Sequence, residues 1–308
     1  MNILRDTFSA LSVGTPQQFE NLSVFPLIGA PGHMPSYETL DEALGGGRLQ
    51  VTETSEAGSV PEIKVLNGGD RSVLIIDGEE LVGAKQNRTV NLTILVPARS
   101  EIVVPVTCVE AGRWHPRSRQ FSSSPRTHFA EGRAAKSRQV TESLRTLGTP
   151  AADQGEVWRS IAAKASRLQA HSQTDAMADV FEAHAVSVDA YVHAIRVAPG
   201  QRGAVFAVNG AVAGLDLFDS PRALEALLPK LVRGYAIDAI DRRPATQKPA
   251  RPVSRESVDE LLKEVAQLEA SRFPAIGSGE FWRLSSSAMS GGALVESGTV
   301  VHLSVFSQ

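Results

Sequence analysis

Two short stretches of this chain hold residue types that can do chemistry at close spacing. The first runs Asp77-Gly78-Glu79-Glu80-Leu81-Val82-Gly83-Ala84-Lys85-Gln86-Asn87-Arg88. Adjacent carboxylates followed by lysine, amides and arginine supply acid/base candidates, amide donors and a bidentate clamp for an oxyanion within one excursion. The second stretch is Cys108, Glu110, Arg113, Trp114 and His115, just past a long β-branched run. If Val90 to Val96 and Ile102 to Val109 form a hairpin, its outer ends lie at one sheet edge and Arg88 comes close to Glu110.

Plainer readings compete at each position. Charges between two apolar strands also make a solvated tip, and Gly78 and Gly83 also serve simply to permit positive φ. Cys108 at the end of an apolar strand reads first as a small buried hydrophobe. Glu110 follows a strand that should be buried, so it needs a cationic partner, Arg88 or Arg113, and a structural salt bridge accounts for it equally well.

Arg113 to Arg138 is the most basic window: Arg113, Arg117, Arg119, Arg126, Arg133, Lys136 and Arg138 against the single acid Glu131. It reads either as a binding loop or lid for phosphate or as a solvated face, and it shows no obvious strand. Metal chemistry has little support. His184 and His193 are nine apart and no HExxH or HxH occurs, so no metal site is assigned, although Glu79, Glu80 or Glu110 could take Mg2+. There is no GxSxG and no glycine-rich phosphate loop.

The elements that must position these residues have two textures. From Glu20 to Cys108 the chain reads as short strands: Leu22 to Ile28, Leu49 to Thr54, Glu62 to Leu66, Val73 to Ile76, Val90 to Val96 and Ile102 to Val109. Turn residues such as Asn67-Gly68-Gly69-Asp70 and Asp77-Gly78 separate them, too closely for parallel crossovers, so the pairing should be mostly antiparallel. His128 to Arg196 reads as helical. Asn209-Gly210 marks a hairpin between Gly203 to Val208 and Val212 to Leu217. Asp219-Ser220-Pro221 opens a helix, Arg242 to Pro252 is a linker, and Ser257 with Glu260 forms a capping box for a further helix. Strands near Phe281 to Ser285, Ala293 to Glu296 and Val300 to Phe306 should join the middle hairpin or the first half.

The fold class is therefore α+β: an antiparallel β-rich N-terminal half, sandwich or barrel-like, with helices and further antiparallel strands from the C-terminal half. Residues 1–308 read as one compact unit, divisible into a β-rich portion over residues 1–115 and a helical portion with returning strands over residues 116–308. The 308 residues are 42% hydrophobic and 21% charged, ordinary globular values. A net charge of −3 provides no field for nucleic acid or an anionic membrane. The single cysteine, Cys108, permits no internal disulfide and no multi-cysteine zinc site. With no export leader or apolar span legible, a cytoplasmic setting is expected, with a homodimer as the common default.

The motifs Gly78 to Arg88 and Val104-Pro105-Val106-Thr107-Cys108-Val109-Glu110-Ala111-Gly112-Arg113-Trp114 resemble the domain family associated with ADP-ribosylglycohydrolase and rhodanese-phosphatase proteins. Weaker similarity covers Gly203 to Phe218, the helix after it through Gly234-Tyr235-Ala236, and Val300 to Phe306, so the resemblance spans most of the chain. It implies a neighbourhood in ADP-ribose or nucleotide metabolism and makes Glu80, Lys85, Gln86, Asn87, Arg88, Cys108, Glu110, Arg113 and Trp114 the site positions. Three functions stay open. In an enzyme on an ADP-ribose-like or other phosphorylated nucleotide, Glu80 or Glu110 would be general base or Mg2+ ligand, Arg88 and Arg113 would clamp phosphate, and Trp114 would stack. In a binding or scaffold module the same cluster would hold a nucleotide-like small molecule without turnover. In a structural protein it would be a buried polar network.

Overall fold

The computed structural model describes residues 3–30, 35–244 and 253–308. Most of the expected linker over 242–252 lies outside them. The chain forms two compact units, one from Met1–Pro35, Val186–Pro274 and Gly279–Gln308, the other from Ser36–Ala185 and Ala275–Ser278. The α+β class with antiparallel sheets holds: Tyr37–Thr39 with Ser72–Ile75 is a parallel pair among antiparallel ones. No described helix is long and apolar enough to cross a membrane.

The first unit is built on a nine-stranded sheet. The Asn209-Gly210 turn, with φ of 52° and 76°, joins Gln201–Val208 to Ala211–Phe218, the left-handed pair a two-residue hairpin requires. Leu22–Gly29 pairs with one side of this hairpin and Thr299–Ser307 with the other, so the C-terminal strands do join the middle hairpin. One sheet face buries Leu215, Leu217, Leu303 and Val305 with Leu4 and Phe8 of helix Ile3–Ser9 and Val258, Leu262 and Val265 of helix Arg255–Val265. That last helix starts earlier than its sequence suggested. Ser254, extended at φ −81° and ψ 158°, accepts from the Ser257 N–H and is the cap, so the Ser257/Glu260 box lies inside the first turns. Ser220 caps Pro221–Asp241 as expected, with Pro221 in the first turn.

The second unit carries the candidate site on a six-stranded sheet ordered Phe121–Thr127, Glu79–Gly83, Arg88–Val90, Ser100–Cys108, Glu62–Asn67, Leu49–Glu53, rolled as a half-barrel. Alternation gives it an apolar face: Leu49, Val51, Ile63, Val65, Leu81, Val104 and Val106 are buried, whereas Leu66 and Val103, one pleat away, are exposed. Val90 to Val96 is not one strand. Arg88–Val90 pairs with Ser100–Cys108, and Ile94–Val96 leaves for a three-stranded sheet beside Ser72–Ile75. The break falls where Asn91 turns its N–H to the Pro105 carbonyl and its side-chain oxygen to the Thr107 hydroxyl.

The basic window also differs from the loop expected for it. Phe121–Thr127 is an edge strand on Glu79–Gly83, and helix Ala130–Leu147 begins three residues later. Arg113, Arg126, Arg133 and Lys136 are buried, each facing an acceptor. Buried charges are kept only with such partners, and those of Arg126, Arg133 and Lys136 lie 46, 56 and 46 residues away, where local charge counting cannot find them.

Candidate functional site

The strand register divides the polar cluster between two faces. Leu81, Arg88 and Cys108 are cross-strand partners, as are Glu80, Thr89 and Thr107. Directly paired residues point to the same side, so Arg88 and Cys108 share the apolar face with Glu53, Val51 and Val106, and Glu80 projects from the opposite one. The sequence brings these residues together, but the pleat sorts them.

Beyond the end of Arg88–Val90 lies a closed frame. The Glu110 carboxylate is fully buried; its Oε2 accepts from Arg113 Nη2 at 2.6 Å and the Asn87 N–H at 3.1 Å, and its Oε1 from the Thr174 hydroxyl at 2.8 Å. Arg113 also donates to the carbonyls of Gly83, Ala84 and His115 and to Asn87 Oδ1. Burial raises the Glu110 pKa, but the bonds from Arg113, Thr174 and Asn87 outweigh it and hold the carboxyl below the usual range. This frame fixes the loop 84–87 that precedes Arg88.

On the opposite face Glu80 Oε2 accepts from Arg126 Nε at 2.6 Å, and Arg126 reaches on to Glu182 at 3.0 Å. Arg133 grips Asp77 with Nε and Nη2, both at 3.1 Å, crossing Gly78, where a Cβ would stand 2.8 Å from its methylenes. Gly78, at φ 85°, is thus needed both for its conformation and for the arginine's passage. Lys136, fully buried, donates to Thr89 Oγ1 and the Val90 carbonyl, and burial lowers its pKa to about 7. Burial takes nearby His128 down to about 3, so the imidazole is neutral at pH 7 while the Lys136 amine titrates there.

Most of the unmet polar atoms of the cluster surround Arg88, although Arg113 Nε and Glu80 Oε1 are also buried without a partner. The Arg88 guanidinium is fully buried on the apolar face, and Nη1 donates to Gln86 Oε1 at 2.9 Å and meets Cys108 Sγ at 2.7 Å. Nε and Nη2 have no hydrogen-bond partner. Glu53 stands opposite: its Oε1 is 3.7 Å from Nη2 and accepts from the Lys85 N–H at 3.2 Å, and its Oε2 is buried without a partner. Trp114, 47% exposed, lies with its ring 5.6 Å from the Arg88 guanidinium carbon and 5.5 Å from Lys85 Nζ. Gly58 completes the group: a Cβ there would be 3.1 Å from Lys85, 3.4 Å from Glu53 Oε2 and 3.5 Å from Trp114. Burial pushes the Cys108 thiol up to about 11, against the pull of Arg88, so it is a thiol at neutral pH.

Lys85, Gln86, Arg88, Cys108 and Trp114 are therefore neighbours in one cluster. Asn87, Glu110 and Arg113 form the adjoining frame, and Glu80 belongs to the far face. Glu79 accepts the Ile76 N–H at 3.0 Å, so every carboxylate considered for Mg2+ has at least one oxygen engaged by a protein donor. Sequence reasoning missed Glu53. Its signal was the alternation Leu49, Val51, Glu53, which places a carboxylate on the buried face of a strand. Also missed was Gln154, whose side-chain amide donates to the Cys108 carbonyl and accepts from its N–H, both at 2.8 Å.

A family model described as the ARG and Rhodanese-Phosphatase-superfamily-associated Protein domain matches residues 10–306. Comparison with curated proteins and with solved structures gives no match.

Proposed function

The chain belongs to the ARG and Rhodanese-Phosphatase-superfamily-associated Protein domain family, and from that premise we propose that it binds a phosphorylated nucleotide, ADP-ribose or a relative, in the Arg88 pocket. The observation that carries the reading is the pair Nε and Nη2 of Arg88, buried and without hydrogen-bond partners. These two N–H groups form the fork that Arg48 uses on Glu38, with Nε to Oε2 at 2.8 Å and Nη2 to Oε1 at 2.9 Å. Leaving such donors unmet costs about 1–3 kcal/mol per group or more, a cost that a ligand acceptor removes. Trp114 offers a face on which a base or ribose stacks, and Lys85 and Arg117 carry positive charge nearby. A cytoplasmic setting goes with this reading.

Binding without turnover fits best. Glu110 is engaged at both oxygens inside the frame, and Glu80 serves Arg126 on the other face, so neither presents a base to the pocket. The test is calorimetric: ADP-ribose and the ribonucleoside monophosphates, with Mg2+ present, titrated into the wild type and into Arg88→Ala, with the recovered ligand analysed. Binding by the wild type, lost in a folded Arg88→Ala, with the ligand recovered intact, is expected. Conversion of the ligand would make the protein an enzyme with Glu53 as the carboxylate nearest the fork. Silence across the panel would overturn the nucleotide reading.

A further inference from the structure

We infer that the exposed loop 114–120 binds single-stranded nucleic acid, the Trp114 indole stacking on a base and Arg117 and Arg119 holding its phosphates. Four of the seven basic residues between Arg113 and Arg138 are buried, but Arg117 and Arg119 stay in solvent, on a stretch in which every residue from Trp114 to Gln120 is exposed. The stretch contributes no buried side chain, yet it is held in shape. Arg113 Nη1 donates to the Ala84 and His115 carbonyls at 2.7 and 3.0 Å, and the Arg117 N–H donates to the same Ala84 carbonyl at 2.9 Å. Ser118 Oγ accepts the Ala84 N–H at 3.0 Å and donates to the Gln120 carbonyl at 2.6 Å. Gly83 has φ 123°, and a Cβ there would stand 2.5 Å from Ser118 Oγ, so glycine is what lets the two loops lock. A tryptophan presented on a loop fixed in this way loses little further freedom when it binds.

The surroundings of the indole select the partner. Lys85 Nζ lies 5.5 Å from the ring centre, and the Arg117 side chain, 56% exposed, stays 3.8 Å from the buried Glu110 carboxylate, beyond hydrogen-bond reach. A protein interface calls for apolar surface around its tryptophan. Here the flanking residues are His115, Pro116 and the cations, while the exposed Leu66 and Val103 of the same unit lie on the strands Glu62–Asn67 and Ser100–Cys108. An aromatic face among cations suits unstacked bases and their phosphates, and a duplex, whose bases are already stacked, offers the indole nothing. The net charge of −3 does not cancel this patch, because at physiological salt a charge is felt over about 8 Å. The inference shares the indole and Arg117 with the nucleotide reading but makes no use of the Arg88 fork.

The experiment measures fluorescence anisotropy of labelled oligouridine and oligodeoxythymidine of about ten nucleotides, a duplex of the same length, and heparin, an anion without bases. The whole protein is compared with Trp114→Ala, Trp114→Phe and the double variant Arg117→Gln, Arg119→Gln. The wild type should bind at least one of the two single strands, and more tightly than the duplex. Trp114→Ala should weaken that binding at least about fivefold and leave heparin unchanged, and Trp114→Phe, which keeps a ring, should recover most of the loss. The double variant should flatten the dependence of log affinity on log salt by about 0.7 for each phosphate contact removed. No single-strand binding by the folded wild type, equal binding of the duplex, or a Trp114→Ala without effect would overturn the inference. Binding of ADP-ribose without binding of either oligonucleotide would overturn it and leave the nucleotide reading standing; the opposite pattern would do the reverse.

Discussion

Arg88 Nη2 and Glu53 Oε1 stand 3.7 Å apart on the buried face of the half-barrel, opposite in charge and close, yet without a hydrogen bond between them. A pair selected for stability would close that gap, because an ion pair taken out of water recovers its desolvation only through good hydrogen-bond geometry. Arg88→Met should therefore cost about 3 kcal/mol by stranding Glu53, while Arg88→Met combined with Glu53→Leu should match or exceed the wild type. Urea midpoints of the two single variants and the double variant test this; a double variant less stable than either single would show that the pair holds the fold.

The Glu110–Arg113 frame makes the opposite prediction. Here the geometry is closed, so Glu110→Gln should cost about 3 kcal/mol at pH 7. The folded carboxyl titrates below its unfolded value of about 4.3, so its contribution is complete above that pH and disappears as pH falls through the lower folded value. The gap in urea midpoint between wild type and Glu110→Gln should therefore be constant from pH 7 to 5 and narrow below about pH 4. A gap that widens toward acid would reverse the sign.

Lys136 titrates near pH 7 in the folded chain and near 10.4 when unfolded, so between those values the unfolded state carries the extra proton. Stability should rise with pH across this window, by up to about 1.4 kcal/mol per unit, until the unfolded amine also loses its proton. Lys136→Met, nearly isosteric, should flatten the rise. Thermal unfolding at pH 6.5, 8 and 9.5 on both proteins measures it.

Cys108 is buried and its thiol is pushed up to about 11. Thiolate is the reactive form, so alkylation of the native protein at pH 8 should be slower than that of the denatured protein by about a hundredfold or more. Its rate should follow unfolding as denaturant is added. Prompt labelling of the native chain would mean that the packing over Cys108 opens in the folded state.

Several strands of the second unit were legible because turn residues punctuate them, but Glu79–Gly83 and Phe121–Thr127 were not, and of the expected hairpin only Arg88–Val90 pairs with Ser100–Cys108, which sets Arg88 opposite Cys108. What local pattern could not supply was the pleat. Glu79 and Glu80 are adjacent in the chain, yet only Glu79 shares a face with Leu81 and Arg88. Arg126 and Arg133 looked like members of a basic binding loop because their partners, Glu80 and Asp77, lie 46 and 56 residues away. Glu53 escaped because a lone acid at a strand end resembles a solvated residue until the opposing strand is known. The split of Val90 to Val96 into two sheets left only the trio Asn91, Leu92 and Thr93 as a trace, and Leu92 masks it.

The two units interleave along the chain, and this fixes the order in which a ribosome can complete them. The half-barrel closes within Leu49–Thr127 and can form while the remainder is still being synthesised. The nine-stranded sheet cannot: Thr299–Ser307, the latest of its strands in chain order, lies in its interior between Ala211–Phe218 and Met289–Glu296. Until that strand emerges, the hairpin edge at Ala211–Phe218 is exposed to any other extended chain nearby. Premature termination upstream of Thr299 would therefore yield a protein with the half-barrel formed and the nine-stranded sheet incomplete and prone to aggregate.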